Sequence, residues 1–177
     1  MSAKCWYWKE GIPKEVCDLI LADATDSRFL RGETREESGD DYRNNNIFFL
    51  NKNHWFESAL LNFARLSNLE AGWNFEWSDC EKVQISRYMP GQRYEWHADE
   101  NLFRDSELIR KITVVCQLND PAEYEGGGLH LTGFDENLLL NQGDVIVFPS
   151  FLEHTAKVIE AGQRFSAALW VTGPQFK

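Results

Sequence analysis

Three residues in the second half of the chain carry side chains that bind transition metals. His97 and Asp99 are separated by one residue, and His154 follows much later. Two imidazoles and one carboxylate form the ligand set that holds non-haem Fe(II) on one face of the ion and leaves three coordination positions open. The pattern therefore predicts an iron site at which oxygen chemistry can take place.

The spacing of the first two residues has a geometric reason. Side chains alternate between the two faces of an extended strand, so His97 and Asp99 should point the same way while Ala98 points away. A single His-x-Asp pair also occurs by chance at protein surfaces, which is the simplest alternative. His154 is distant enough in sequence to come from another strand of a sheet that curls back on itself.

The chain that follows His154 is predicted to form a β-hairpin. Two strand-like runs, 154–159 and 164–172, flank a turn that contains Gly162. A three-residue turn with this glycine in the left-handed conformation would place His154 and Arg164 on one face. A two-residue turn would shift the register by one residue and move Arg164 to the opposite face.

Arg164 is the candidate anion-binding residue. A guanidinium group presents two parallel N–H donors that match the two oxygens of a carboxylate. The alternative is an exposed arginine after a tight turn. If Arg164 shares a face with His154, it is predicted to bind a carboxylate of a ligand that also reaches the metal.

Several phrases of the sequence, taken in order, resemble those of a known enzyme family. The phrases are RYMPGQRYEWHAD at 87–99, the run 110–121 followed by YEGG at 124–127, GDVIVFPS at 143–150, and His154 with Arg164. They are similar to the Fe(II)/2-oxoglutarate-dependent oxygenases, in particular the prolyl 4-hydroxylase branch and its bacterial PKHD-type relatives. The resemblance covers about residues 81–173, and a weaker one links residues 43–46 to a Lys-Asn-Asn phrase of the PKHD-type members.

The resemblance implies a catalytic metal site and a cosubstrate site. His97, Asp99 and His154 correspond to the iron ligands of the family. Arg164 corresponds to the basic residue that binds the distal carboxylate of 2-oxoglutarate. The cofactors implied are Fe(II), 2-oxoglutarate as cosubstrate and O2, with ascorbate as a candidate reductant of the iron.

Three further residues correspond to cosubstrate-binding positions. Tyr88 matches the tyrosine that opens a Tyr-x-x-Gly motif and lines the cosubstrate pocket, and a half-buried strand tyrosine is the alternative. Gln117 stands where some relatives place a tyrosine against 2-oxoglutarate, so this sequence departs from them there. Ser166 forms an Arg-x-Ser pattern and could add a hydrogen bond, or could be a simple strand serine.

The family implies a mainly β fold with flanking helices, in which a double-stranded β-helix, or jelly-roll, forms the core. It implies hydroxylation of an unactivated C–H bond, with release of succinate and CO2, on a prolyl or other residue of a peptide or protein. Hydroxylation of a free amino acid or other small molecule is one alternative. A catalytically silent jelly-roll binding module is another, which the complete His/Asp/His set with Arg164 disfavours.

The first half of the chain is expected to support this core. We predict one domain over 1–177, with helical support and first strands at about 1–80 and the catalytic core at about 81–173. N-terminal helices are predicted at 12–22, where Pro13 suits a first turn, and at about 55–67, where Asn53 is a candidate cap. The polar stretch 28–41 is expected to be a solvated loop, with a lid over the substrate as the alternative.

The composition of the chain restricts which substrates and which cellular compartment are expected. The net charge is −10, and a nucleic-acid substrate is disfavoured because such proteins carry a basic face. A basic peptide would match the overall charge better. The four cysteines lack Cys-x-x-Cys spacing and are expected to be reduced packing residues. With no signal-peptide pattern or membrane span in the sequence, the protein is predicted to be cytoplasmic.

Overall fold

The structure is a computed structural model that describes residues 4–32, 42–100, 108–134, 138 and 140–176. The predicted loop at 28–41 lies outside the described residues from residue 33 onward. Within the described part, the helices are α1 (Lys14–Ala22), α2 (Trp55–Glu70) and two short 3-10 helices, Asp26–Arg28 and Pro121–Glu123. No helix there has both the length and the apolar composition that crossing a membrane requires.

Both predicted helices are present, with small differences at their ends. Helix α1 begins after Pro13, which is the cap residue rather than part of the first turn, and it buries Cys17 and Ile20. Helix α2 buries Phe56, Leu60 and Ala64 along one face, as the spacing of these residues predicts.

The predicted cap of α2 is one residue out of place. His54 is the cap, because its Nδ1 accepts a hydrogen bond from the backbone N–H of Phe56 at 3.3 Å. Asn53 has a φ of 65° and precedes the helix. Its backbone N–H donates to the carboxylate of Glu57 at 3.3 Å, which holds the chain as it enters the helix.

The largest sheet is antiparallel and has eight strands among the described residues. With strands numbered along the chain, the spatial order is β1 (Trp6–Trp8), β10 (Val145–Pro149), β7 (Leu108–Gln117), β13 (Arg164–Pro174), β5 (Gln84–Tyr88), β3 (Asn46–Phe49) and β2 (Leu30–Arg31), with β4 (Asp79–Cys80) paired to β13. Helix α2 packs on β7, β13 and β10, and the main apolar core lies between them.

Two smaller sheets complete the jelly-roll. One contains β6 (Tyr94–His97), β11 (His154–Ala156) and β9 (Leu129–Leu131), and the other pairs β8 (Tyr124–Gly126) with β12 (Ile159–Gly162). Residues of the large sheet and of the β6-β11-β9 sheet line one shared cavity. The predicted mainly β class, with helices supporting a jelly-roll core, is confirmed.

The predicted hairpin between 154–159 and 164–172 is wrong. Strand β11 pairs with β6 and β9, whereas β13 pairs with β5 and β7, and Arg164 lies opposite Tyr88 rather than on a partner of β11. The chain passes from a small sheet to the large sheet at this turn. Local patterns locate strands and turns, but the choice of partner strand depends on contacts between distant parts of the chain.

Gly162 has the left-handed conformation that the turn prediction required, with a φ of 72°. A Cβ at this position would collide with the backbone carbonyl oxygen of Glu123. Gly72, which follows α2, has a similar φ of 70° but open space around it. Alanine substitutions at the two glycines would share the backbone strain, but only the one at Gly162 would add a steric collision.

We expect Gly162→Ala to lower the free energy of unfolding by about 1–3 kcal/mol more than Gly72→Ala does. Both variants carry the cost of a left-handed alanine, about 1–2 kcal/mol. Only Gly162→Ala must also displace the backbone near Glu123. Urea denaturation of both variants measures the difference, and equal losses would show that the backbone moves aside at no cost.

Candidate metal centre and cavity

A cavity of about 860 Å³ lies between the two facing sheets. His97, Asp99 and His154 line it, and so does Arg164. In the described part of the chain, the first three are the one group of His, Cys, Asp or Glu side chains placed to share a metal ion, with ligand atoms within 4.8 Å of one another. The structure thus brings together the four residues singled out in the sequence.

The strand pairing positions the two histidines. His97 is the last residue of β6, and His154, the first residue of β11, lies directly opposite it. Asp99 follows the strand rather than continuing it, and its backbone N–H donates to the carbonyl oxygen of Ser150 at 2.8 Å. The expected common orientation is therefore achieved by a turn after β6, not by strand alternation.

The distances are those of a cluster that converges on one point. Nε2 of His97 lies 3.6 Å from Oδ1 of Asp99, and Nε2 of His154 lies 3.5 Å from Oδ2 of the same carboxylate. All three side chains are less than a tenth exposed. Three ligand atoms at these separations can contact one ion after sub-ångström adjustments.

Hydrogen bonds behind the histidines fix which nitrogen faces the cavity. Nδ1 of His97 is 2.7 Å from the carbonyl oxygen of Glu95, and Nδ1 of His154 is 3.0 Å from that of Leu152. A carbonyl oxygen only accepts, so each Nδ1 carries the proton and donates it. In the neutral rings the lone pair is then on Nε2, and this orientation by a second partner is typical of metal-binding histidines.

Asp99 is held as an ionised acceptor. Its Oδ2 accepts a hydrogen bond from the Thr113 hydroxyl at 2.9 Å. Burial raises the pKa of this carboxyl, but its electrostatic interactions with His154, His97 and Arg110 outweigh burial and bring the pKa to about 2. A carboxylate that is ionised at neutral pH is the form that binds a cation.

His97 is held in its neutral form. Its pKa is lowered to about 3, first because burial strips the imidazolium of its hydration and then because His154 lies beside it, against the opposing effect of Asp99. The ring of Tyr94 stacks on His97 with 3.5 Å between ring centres and 13° between planes. Burial and stacking together keep the ring fixed, with its Nε2 available as a ligand atom.

Arg164 is buried, and only 3% of it is exposed. Its Nε donates to Oε1 of Gln117 at 3.0 Å, and it lies opposite Tyr88 in the pairing of β13 with β5. Tyr88 and Ser166 line the cavity beside it. Gln117 is fully buried and is not among the residues that line the cavity. It can affect a ligand in the cavity through its hydrogen bond to Arg164.

We expect Gln117→Leu to weaken binding of the predicted cosubstrate, 2-oxoglutarate, about tenfold, because Arg164 loses the acceptor that orients it. Gln117→Glu should weaken binding further, although it restores an acceptor, because its charge would neutralise Arg164. Titration of both variants by calorimetry tests this order. Unchanged 2-oxoglutarate affinity in the Leu variant would contradict a positioning role for Gln117.

Several residues that surround the centre were not predicted from the sequence. Tyr94 stacks on His97, Thr113 hydrogen-bonds to Asp99, and the Ser150 hydroxyl lies 3.0 Å from that of Thr113. Arg43 also lines the cavity, within reach of the Tyr94 ring. Tyr94 lies inside the phrase at 87–99, which was a usable signal, whereas nothing in the sequence connects Thr113 to Asp99.

The donor set fits Fe(II). Two neutral imidazole nitrogens and one carboxylate, all on one side of the cavity, match the facial arrangement of non-haem iron sites. The hydrogen bonds at Nδ1 turn Nε2 of both rings toward the cavity, and Asp99 is already ionised at neutral pH. The remaining side of the cavity is available for other ligands.

A family model and a curated relative point to the same enzyme family. A family model described as the 2OG-Fe(II) oxygenase superfamily matches residues 83–172, slightly more than half of the chain. A PKHD-type hydroxylase of Thermosynechococcus vestitus is 37% identical over 91 residues, which cover 49% of this chain and 41% of that protein. The match therefore spans less than half of the relative's length.

Two solved structures share the fold. A prolyl-4-hydroxylase of Pseudomonas putida has a TM-score of 0.75 at 18% identity and covers 95% of this chain and 92% of its own. A viral collagen prolyl hydroxylase of Paramecium Bursaria Chlorella virus-1, in complex with 2OG, has a TM-score of 0.74 at 20% identity, with 97% of each chain covered. At these identities the likeness is one of fold.

Proposed function

Because the chain belongs to the 2OG-Fe(II) oxygenase superfamily, we propose that it is an Fe(II)- and 2-oxoglutarate-dependent hydroxylase. The observation that carries this proposal is the buried His97–Asp99–His154 cluster in one cavity with Arg164. A silent binding module would have no need to hold two histidines, each with its Nδ1 bonded to a backbone carbonyl, and an ionised carboxylate around one point. The PKHD-type and prolyl hydroxylase relatives support the same chemistry.

Different residues of this chain would bind the iron and the cosubstrate. His97, Asp99 and His154 would hold the iron through Nε2, a carboxylate oxygen and Nε2. Arg164 would bind the distal carboxylate of 2-oxoglutarate, with Tyr88 and Ser166 beside it in the cavity wall. When bound, the iron and its cosubstrate would supply the oxidising power for C–H hydroxylation, with succinate and CO2 released.

The protein's own contribution is orientation and exclusion of water. Gln117 would fix the Arg164 guanidinium, and the backbone carbonyls of Glu95 and Leu152 would fix the two histidines. The rings of Tyr94 and Trp170 line the cavity and limit the water around the reacting C–H bond. Such fixed geometry lowers the entropic part of the barrier.

We propose a peptide or protein as the substrate, with a prolyl residue as the first choice. The structural neighbours from Pseudomonas putida and the Chlorella virus are both named prolyl hydroxylases, and the viral one is named a collagen prolyl hydroxylase.

We also propose a cytoplasmic location, which the four free thiols support. Ascorbate is the proposed reductant of the iron. A nucleic-acid substrate is disfavoured by the net charge of −10.

Anaerobic titration of the purified protein with Fe(II) and 2-oxoglutarate tests the proposed cofactor chemistry. Chelated 2-oxoglutarate gives a weak visible metal-to-ligand charge-transfer band, and we expect this band to appear. Its absence from folded, iron-loaded protein would favour the silent binding module. With the band established, mass spectrometry of proline-containing peptides after aerobic incubation would detect a gain of one oxygen atom.

A further inference from the structure

The cavity is basic although the chain is acidic. Among the described residues that line it there are five arginines but one carboxylate, that of Asp99; the arginines are Arg28, Arg31, Arg43, Arg110 and Arg164. The net charge of the whole chain is −10. The overall charge favoured a basic partner, but charges at the site act on the substrate at much closer range.

Two of these arginines already have an acidic partner. Arg28 Nη1 lies 3.6 Å from Oδ2 of Asp23. Arg110 forms a two-pronged pair with Glu81, with Nε–Oε1 and Nη2–Oε2 distances of 2.5 and 2.6 Å. Their positive charges are therefore largely balanced within the protein.

Arg43 and Arg164 differ from these two. In the described part of the chain, neither forms an ion pair with a carboxylate. Nε of Arg43 donates to Oδ1 of Asn45 at 2.8 Å, and Nη2 donates to Oε1 of Gln84 at 3.4 Å. Neutral amide oxygens orient the guanidinium but do not balance its charge, and three of its five N–H groups remain for a ligand.

Arg43 is also close to the reacting centre. Its guanidinium carbon lies 4.7 Å from the centre of the Tyr94 ring, and that ring stacks on His97. Arg43 thus sits one aromatic ring away from a proposed iron ligand.

The two carboxylates of 2-oxoglutarate are too few to include one for Arg43. Under the proposed function, 2-oxoglutarate brings two carboxylates, one for the metal and one for Arg164, so none is left for Arg43. We propose that Arg43 binds a carboxylate of the substrate, an inference that rests on the proposed function. The carboxylate belongs to an acidic side chain of a peptide or to the α-carboxylate of a free amino acid.

The position of Arg43 limits where this carboxylate lies. An extended peptide advances about 3.3 Å per residue. Since a single ring separates Arg43 from His97, the acidic group lies within a few residues of the oxidised position. The substrate is therefore selected by local charge as well as by the residue that is hydroxylated.

The test compares charged ligands with neutral isosteres. Blocked nonapeptides carry a central proline in an alanine background, with one Asp moved through the four positions on each side, and each has an Asn counterpart. Proline and prolinamide form the matching pair for a free amino acid. Binding to the protein loaded with Mn(II) and 2-oxoglutarate is measured by calorimetry at low salt, which gives a readout without turnover.

We expect at least one charged ligand to bind about tenfold or more tightly than its neutral isostere. The preference should disappear in Arg43→Gln and persist in part in Arg43→Lys, which keeps the charge and guards against a misfolded Gln variant. Arg65→Gln, which removes an exposed arginine outside the cavity wall, should leave it unchanged. A preference in the peptide series or in the proline pair identifies the source of the carboxylate.

Three results would overturn the inference. They are no discrimination in any pair by the wild-type protein, discrimination that survives in Arg43→Gln, and a loss of 2-oxoglutarate affinity in Arg43→Gln that matches the loss caused by removing Arg164. Failure of the proposed function is a different result, because it appears as a missing charge-transfer band in the wild-type protein. With the band present, an absent preference counts against the inference about Arg43 and leaves the proposed cofactor chemistry standing.

Discussion

Asp99→Ala is expected to weaken binding of a divalent metal by more than about 100-fold and to abolish turnover. Loss of a residue that merely supports a metal ligand commonly costs about 10–100-fold in affinity, and loss of the proposed ligand itself should cost more. Asp99 is also the one carboxylate in the cluster, and its charge attracts the cation directly. Calorimetric titration with Mn(II), which is stable in air, measures the affinity without dependence on activity.

A matched control separates ligand loss from a general effect of charge. Glu153 is an exposed carboxylate next to His154, so Glu153→Ala removes the same charge without removing a proposed ligand. We expect this variant to keep its affinity for Mn(II). His154→Ala should behave like Asp99→Ala. Full activity in either ligand variant would show that another side chain binds the metal.

Arg164→Ala is expected to weaken 2-oxoglutarate binding by about 100-fold while sparing the metal. A charge-assisted hydrogen bond contributes roughly 1.5–3 kcal/mol, and about 2.7 kcal/mol corresponds to a 100-fold change in affinity. Arg164 is buried and has Gln117 as a neutral partner, so its charge is available to a carboxylate. Titration of the Mn(II)-loaded variant with 2-oxoglutarate gives the dissociation constant.

Arg164→Lys is the informative companion of this variant. It keeps the positive charge but loses the paired N–H donors, so its affinity for 2-oxoglutarate should lie between those of the wild type and Arg164→Ala. The Mn(II) affinity of both variants should match that of the wild type. Loss of metal binding in Arg164→Ala would contradict the separation of roles between Arg164 and the three proposed ligands.

Much of the fold could be predicted from local patterns in the sequence. The apolar stripe of α2 repeats with the helical period, and the β-branched run at β10 is bounded by a glycine and a proline. These signals are local, because side-chain periodicity follows backbone geometry. The partner of each strand is not local, and the predicted hairpin after His154 failed for that reason.

The types of residue at the candidate site could be read from the amino-acid order alone. His97, Asp99 and His154 were sufficient to predict an iron site, because coordination chemistry restricts which side chains can bind. The 2-oxoglutarate site at Arg164 was implied by the family resemblance of the surrounding phrases. The left-handed conformation of Gly162 was also predictable, since a turn of this kind requires it of one residue.

How these residues are held, and which others join them, follows from the folded arrangement of the sheets. The Gln117–Arg164 hydrogen bond, the stacking of Tyr94 on His97 and the unbalanced charge of Arg43 all arise between side chains that the facing sheets bring into one cavity. Sheet pairing is fixed by the sum of many weak long-range contacts, and no local pattern in the chain encodes that sum.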